Sequence, residues 1–170
     1  MTNHIVPFEP QIPANTGNIA RTCAATNTTL HLIEPLGFYI DDQHLRRSGM
    51  DYRNKIELHV HHTWEDFKQE FPGTYYYVSR YGHHSADEFD FKQEEDLFLV
   101  FGKESTGIPL SIMKENLDHQ IRIPMVPDAR SLNLSNSVAI VLYEALRQKG
   151  YPNLAKAEVL KGPDYRGNEE

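Results

Sequence analysis

The sequence holds a single cysteine, Cys23, in 170 residues. No disulfide can close within the chain, and the compartment to expect is a reducing one, the cytoplasm. Long hydrophobic runs are also missing. The longest, residues 97–101, falls far short of the roughly 20 residues a membrane helix needs, so no membrane partner is expected. Met1-Thr2-Asn3-His4 is not a basic stretch leading into an apolar one, so no signal peptide is expected. Cations are scarce: 17 Lys and Arg stand against 24 Asp and Glu, a net charge of −7. That excludes a uniformly basic nucleic-acid binder. The charge is unevenly placed, however. Acids crowd the middle (Glu65, Asp66, Glu70, Asp87, Glu88, Asp90, Glu94, Glu95, Asp96), whereas Arg21, Arg46, Arg47, Arg53 and Lys55 fall in the first third. A local basic face remains open, as does the plainer reading of solvated surface charge.

What is present suits one α/β domain over residues 1–155, followed by a flexible tail at 156–170. Hydrophobic residues make up 39% of the chain, enough for a core without staples. Strands are predicted at 5–8, 29–33, 56–60, 75–78, 97–101 and 120–123. Helices are predicted at 15–25, 41–47, 64–71, 109–116 and 133–149, with residues 83–95 as a polar loop. Asn15 or Thr16 is the candidate cap of the first helix. The runs at 75–78 and 97–101 are apolar without alternation, as in parallel strands covered on both faces. In the last helix Val138, Val141, Leu142, Ala145 and Leu146 form one apolar face, and Gly150 ends it.

Three segments carry candidate chemistry. Residues 13–21 lead from a strand into a helix, with Gly17 allowing close approach and Arg21 suited to a phosphate. Residues 99–107 run from a buried strand into a loop bracketed by Gly102 and Gly107. Open α/β sheets bind ligands at such strand ends. A phosphate-binding P-loop is excluded, because position 97 is Leu where that motif needs Gly. Residues 121–139 form a strand, a proline-punctuated loop and a helix mouth crowded with Ser131, Asn133, Ser135 and Asn136. A helix start needs one cap, so four such groups point to ligand binding.

Other groups read more plainly. His59, His61, His62, His83 and His84 come without a cysteine cluster or a His-Glu helix motif, so they read as surface imidazoles and no metal is expected. Cys23 reads as core packing, and Tyr75-Tyr76-Tyr77 as a buried strand rather than a base-stacking platform.

Together the segments give N-x-G-N-I-x-R (residues 15–21), F-G-x-E-x-x-G (101–107) and I-P-M-x-x-x-x-R-S-L-N-L-S-N-S (123–137). In this order and spacing they resemble the SPOUT, or trefoil-knot, RNA methyltransferases. The stretches at 33–38 and 45–52 extend the likeness to the minimal branch that methylates the wobble nucleotide of tRNA anticodons. The resemblance reaches from the N-terminus to about Pro152.

That resemblance implies a mostly parallel central sheet flanked by helices, with a deep C-terminal trefoil knot. It also implies a homodimer with S-adenosyl-L-methionine as cofactor and the tRNA anticodon stem-loop as partner. By matched position it assigns cofactor contacts to Val78, Gly102, Ile123, Ser131, Leu132 and Leu134. Catalytic roles fall on Arg21 and Tyr143, the latter also fitting a packing residue. Substrate contacts fall on Asn15, Arg46, Arg47, Glu104, Asn133 and Asn136. Lys103 departs from the family, where proline is common. The expected reaction is in-line attack of a ribose 2′-hydroxyl on the sulfonium methyl. Guanidinium groups keep their proton, so Arg21 suits a clamp better than a base. Ribosomal RNA as substrate, or a non-catalytic RNA binder of the same fold, are the alternatives.

Overall fold

A computed structural model describes residues 1–40 and 56–164 of the chain. Its centre is a sheet of six strands: β1 (Thr2–Pro7), β2 (Thr29–Ile33), β3 (Leu58–His61), β4 (Tyr75–Val78), β5 (Asp96–Phe101) and β6 (Gln120–Ile121). They lie in the order β3-β2-β1-β5-β4-β6, every neighbouring pair parallel. Successive strand residues face opposite sides, and each side has its own core. On one side Ile5, Leu30, Leu32, Leu97, Leu99 and Ile121 meet Ile19 and Cys23 of α1 (Pro13–Thr26) and Val138, Val141 and Leu142 of α4 (Leu134–Gln148). On the other, Val6, Ile33, Tyr75, Tyr77, Phe98 and Val100 are covered by α2 (Trp64–Glu70) and α3 (Leu110–Met113). The apolar stripe expected on the last helix is buried as read, and Gly150 stops it at φ +77°. Cys23 is fully buried, and burial pushes its thiol up to about 12. Among the described residues, no helix is long and apolar enough to cross a membrane.

Several local expectations need correction. Helix α1 begins at Pro13 with Ile12 at its cap position and no local side-chain cap, so neither Asn15 nor Thr16 fills that role. The ring of Pro13 presets helical φ and removes one orphan N–H, starting the helix two residues early. The polar loop at 83–95 contains two 3₁₀ turns, Ala86–Glu88 and Phe91–Gln93. A Ser85/Glu88 capping box starts the first, and fully buried Phe91 anchors the second. The helix expected at 109–116 is one turn long, because Asn116 accepts from the Asp118 N–H and opens a separate 3₁₀ turn. β6 is cut to two residues because the Arg122 N–H bonds to His84 O in the loop. Residues 156–164 carry no regular structure and are mostly exposed. The helix expected at 41–47 lies outside the described residues.

His61 is the larger correction. It is not a surface imidazole but 4% exposed, at the end of a buried line of rings. His4 Nδ1 lies 2.9 Å from His31 Nε2, and His31 Nδ1 lies 3.0 Å from His61 Nε2. Asp96 and Glu70 close the two ends at 3.4 and 3.5 Å. The three residues come from the adjacent strands β1, β2 and β3 but from staggered positions: His4 pairs with Thr29, His31 with His59 and His61 with Ile33, so the rings meet diagonally across the sheet face.

Candidate active site

The carboxyl ends of β4, β5 and β6 open into a cleft of about 620 Å³. The three sequence segments form its walls. All six residues matched to cofactor contacts line it: Val78, Gly102, Ile123, Ser131, Leu132 and Leu134. So do Asn15, Glu104 and Asn133 of the substrate set. The volume falls within the usual range for small-molecule sites. Its lining mixes apolar Phe101, Ile108, Ile123 and Leu134 with polar Ser131, Asn133 and Ser137.

A hydrogen-bond network ties the walls together. The Glu104 carboxylate accepts from the backbone N–H groups of Gln11 (2.8 Å) and Ile12 (3.2 Å) and from Asn15 Nδ2 (3.4 Å). It therefore supplies the cap that α1 lacks locally, and a negative charge is favoured at that helix end. In return Gln11 Oε1 accepts from the Ser105 N–H and hydroxyl. Asn133 Nδ2 donates to Asn15 Oδ1 at 3.0 Å, joining the third segment to the first. Asn133 Oδ1 also caps α4, accepting from the N–H groups of Ser135 and Asn136 and from the Ser135 hydroxyl. Much of the polar crowding at this helix mouth is thus one extended cap. Asn136 contributes its backbone there and is not among the cleft-lining residues.

Glu104→Ala should therefore loosen the cleft from two sides. Cofactor affinity is expected to fall about 10- to 100-fold, from the loss of charge-assisted hydrogen bonds. Calorimetric titration with S-adenosylmethionine checks this, and an unchanged affinity would remove Glu104 from the scaffold.

Neither residue assigned a catalytic role lines the cleft. Arg21 is exposed on α1, six residues beyond Asn15. At 100° per residue that turns it about 120° round the helix and roughly 9 Å along it. Tyr143 stands on α4, 45% exposed, beside a second, shallower groove with Ile123, Pro124, Ile140 and Tyr151. Arg46 and Arg47 lie outside the described residues. Sequence reasoning missed Arg80 and Tyr81, both exposed in the cleft lining, and gave no role to Arg130, which stands in the third motif and lines the cleft too. The signal available was the position of Arg80 and Tyr81 just after the strand ending at Val78.

Residues 2–143 match the SpoU rRNA Methylase family. The chain belongs to that family. It is a family of methyltransferases, and the cleft at the strand ends is where the motif residues of this chain converge. The chain is 48% identical over 153 residues to the tRNA (cytidine(34)-2'-O)-methyltransferase of Escherichia coli K12, covering 88% of this chain and 95% of that one. It is 45% identical over 150 residues to the enzyme of that name from Saccharophagus degradans, covering 87% and 96%. A solved structure described by the 2-OH methylation of C/U34 on tRNA superposes with a TM-score of 0.79 at 38% identity, covering 86% of this chain and 95% of that one.

Proposed function

We propose that this methyltransferase transfers a methyl group from S-adenosyl-L-methionine to the ribose 2′-hydroxyl of the wobble cytidine or uridine in a tRNA anticodon loop. The observation carrying this reading is the cleft built by all three motif segments in a chain that shares nearly half its residues with enzymes named for that reaction.

The residues present fit the cofactor. Gly102 lets the loop close tightly against the end of β5 and so shapes the cleft floor: a Cβ there would lie 2.1 Å from the Gly107 carbonyl carbon. Val78 and Ile123 flank the strand ends where backbone groups can meet an adenine or ribose, and Ser131, Leu132 and Leu134 complete the lining. Bound there, S-adenosylmethionine supplies the electrophilic methyl. The protein's part is to align the ribose, exclude water and manage the proton of the 2′-hydroxyl. Arg21 clamps a phosphate beside the target ribose, with Tyr143 assisting. Asn15, Glu104, Asn133 and Asn136 shape the substrate side, and Arg46 and Arg47 hold the RNA backbone.

A homodimer belongs to the same reading. In the single chain, Arg21 and Tyr143 stand away from the cleft, and α4 leaves Ile140 and Tyr143 nearly half exposed. A second copy packed on that face would cover the apolar surface and bring cationic groups to the cleft. The trefoil knot, the single domain at 1–155 with its tail and a cytoplasmic location complete the proposal. For the knot, the support is the return of the chain from edge strand β6, past the ends of β4 and β5, into α4 beside α1.

The test is transfer of labelled methyl to total tRNA, followed by nucleoside analysis. Wild type should yield a 2′-O-methylated pyrimidine. Arg21→Ala should lower transfer by at least about 100-fold while cofactor affinity holds, as for loss of one preorganised transition-state donor. Near-normal turnover of Arg21→Lys would show that bidentate geometry is dispensable. Transfer to ribosomal RNA instead would favour the substrate for which the family is named. Loss of all cofactor binding in the wild type would leave a non-catalytic RNA binder.

A further inference from the structure

The rim of the cleft carries an aromatic and a cation that the motifs do not account for. Val78 ends β4, and the next residues turn sharply. Ser79 N–H bonds to Ile121 O, Tyr81 N–H to Ser79 Oγ and Gly82 N–H to Ser79 O. The turn is then strapped to the neighbouring segment. The Arg122 guanidinium donates to Arg80 O, and the Arg122 N–H donates to His84 O. Gly82 is packed so closely that a Cβ would lie 2.7 Å from the Ile121 carbonyl carbon. The backbone beneath residues 80 and 81 is therefore fixed on both sides.

On this turn, three residues past β4, Tyr81 is 63% exposed, whereas Tyr75, Tyr76 and Tyr77 of the strand are buried. The Arg80 guanidinium carbon sits 5.5 Å from the centre of that ring. Both residues line the cleft, as does Arg130. The one acid among the lining residues, Glu104, is already engaged in capping α1. In a chain of net charge −7, the cleft lining gathers Arg80, Lys103 and Arg130 against one acid, Glu104.

An exposed ring with a stacked guanidinium is the surface that splayed bases of single-stranded RNA use, because every base has a π-face and every nucleotide a phosphate. We propose that Arg80 and Tyr81 form a stacking platform for the base next to the nucleotide whose ribose enters the cleft. This rests on the anticodon-loop reading above. The platform holds the loop open by stacking, and Arg80 adds charge to the neighbouring phosphate. Its recognition is therefore sequence-tolerant at that neighbouring base and sensitive to ring planarity.

The experiment uses an anticodon stem-loop carrying 2-aminopurine beside the target nucleotide, with KM, kcat and cofactor affinity measured in parallel. Tyr81→Ala should raise the KM for RNA roughly 5- to 100-fold with little change in kcat, and should abolish the fluorescence quenching that accompanies binding in the wild type. Tyr81→Phe should restore both; Tyr81→Leu should not. Arg80→Ala should flatten the salt dependence of binding. An active wild type whose KM and quenching survive Tyr81→Ala overturns the platform alone. Weakened cofactor binding in Tyr81→Ala, with RNA KM unchanged, also overturns it and makes Tyr81 a wall of the cofactor site. A wild type that binds cofactor but methylates no anticodon loop overturns the substrate reading itself. All these variants sit on an exposed rim, so melting temperatures should match the wild type.

Discussion

Gly102→Ala is expected to lower cofactor affinity by at least about 100-fold, while Gly107→Ala leaves a folded protein with cofactor affinity reduced far less. The two glycines bracket the same loop, and the contrast is steric. A Cβ on Gly102 would lie 2.1 Å from Gly107 C, 2.3 Å from Ile108 N and 2.4 Å from Gly107 Cα. All three are backbone atoms, so no side-chain rotation can relieve the clash. The loop is closed on itself there, with Gly107 N–H bonded to Lys103 O at 2.9 Å. Admitting a methyl group means parting the end of β5 from the returning chain, which moves the floor of the cleft. A 100-fold loss corresponds to roughly 2.7 kcal/mol of binding free energy. Gly107 has φ +75°, and a Cβ there would meet nothing within 4 Å. Its substitution costs only the left-handed backbone penalty, roughly 1–2 kcal/mol of stability. Calorimetric titration with S-adenosylmethionine and thermal melts of both variants separate the two. Equal cofactor affinities would show that the close approach at Gly102 does not shape the site.

Acidification from pH 7 to pH 5 is expected to cost the fold about 2 kcal/mol through His31 alone. Proton counting explains why. The line Asp96–His4–His31–His61–Glu70 contains four contacts, each requiring one proton. Ionised carboxylates supply none, and three neutral imidazoles supply three. One contact goes without, and it belongs at an end: the end separations are 3.4 and 3.5 Å, the inner ones 2.9 and 3.0 Å. Burial, reinforced by the neighbouring imidazoles, pushes His31 down to about 2. Burial also lowers His4 and His61, although Asp96 and Glu70 oppose it.

A base whose folded-state pKa is lowered stays neutral in the fold while the unfolded chain takes up protons. Its contribution is therefore whole above the ordinary value of 6.5 and is lost as pH falls below it. The slope approaches about 1.4 kcal/mol per pH unit for one imidazole. Glu57, Glu88 and Glu144 are held below 4.5 by hydrogen bonds, His59, Ser85 and Arg147 being their respective leading partners. They act at lower pH, so the window from about 5 to 6.5 reports on the histidines. The melting temperature should drop by roughly 4–8 °C across it. His31→Phe keeps a ring among Phe67 and Phe71 but strands His4 Nδ1 and His61 Nε2. It should be less stable at pH 8 by a few kcal/mol, about 1–3 per unpaired group, with a flatter pH profile. A wild type melting at the same temperature at pH 5 and pH 8 would mean that the line takes up protons in the native state as readily as in the unfolded chain.

The sequence alone determined what depends on neighbours along the chain. β2 and β4 lie where runs of β-branched and aromatic residues place them, and Val138, Val141, Leu142, Ala145 and Leu146 face the core because 3.6-residue periodicity is local. The motif residues meet in one cleft because each follows a strand of a parallel sheet, whose carboxyl ends share one edge. Tertiary structure decided what depends on partners far away in the chain. Glu104 caps a helix by accepting from Gln11, 93 residues upstream, so no local pattern could reveal that α1 has a cap. His61 is buried because parallel register sets it beside Ile33, in contact with His31 and Phe67, and an isolated His-x-His-His carries no record of that. Arg21 and Tyr143 are not among the cleft-lining residues; a helix turns 100° per residue, and where that rotation carries a side chain is known only once the packed face is known. Local preferences select the elements. The free energy of burial, which acts between residues brought together from distant parts of the chain, selects which side chains meet.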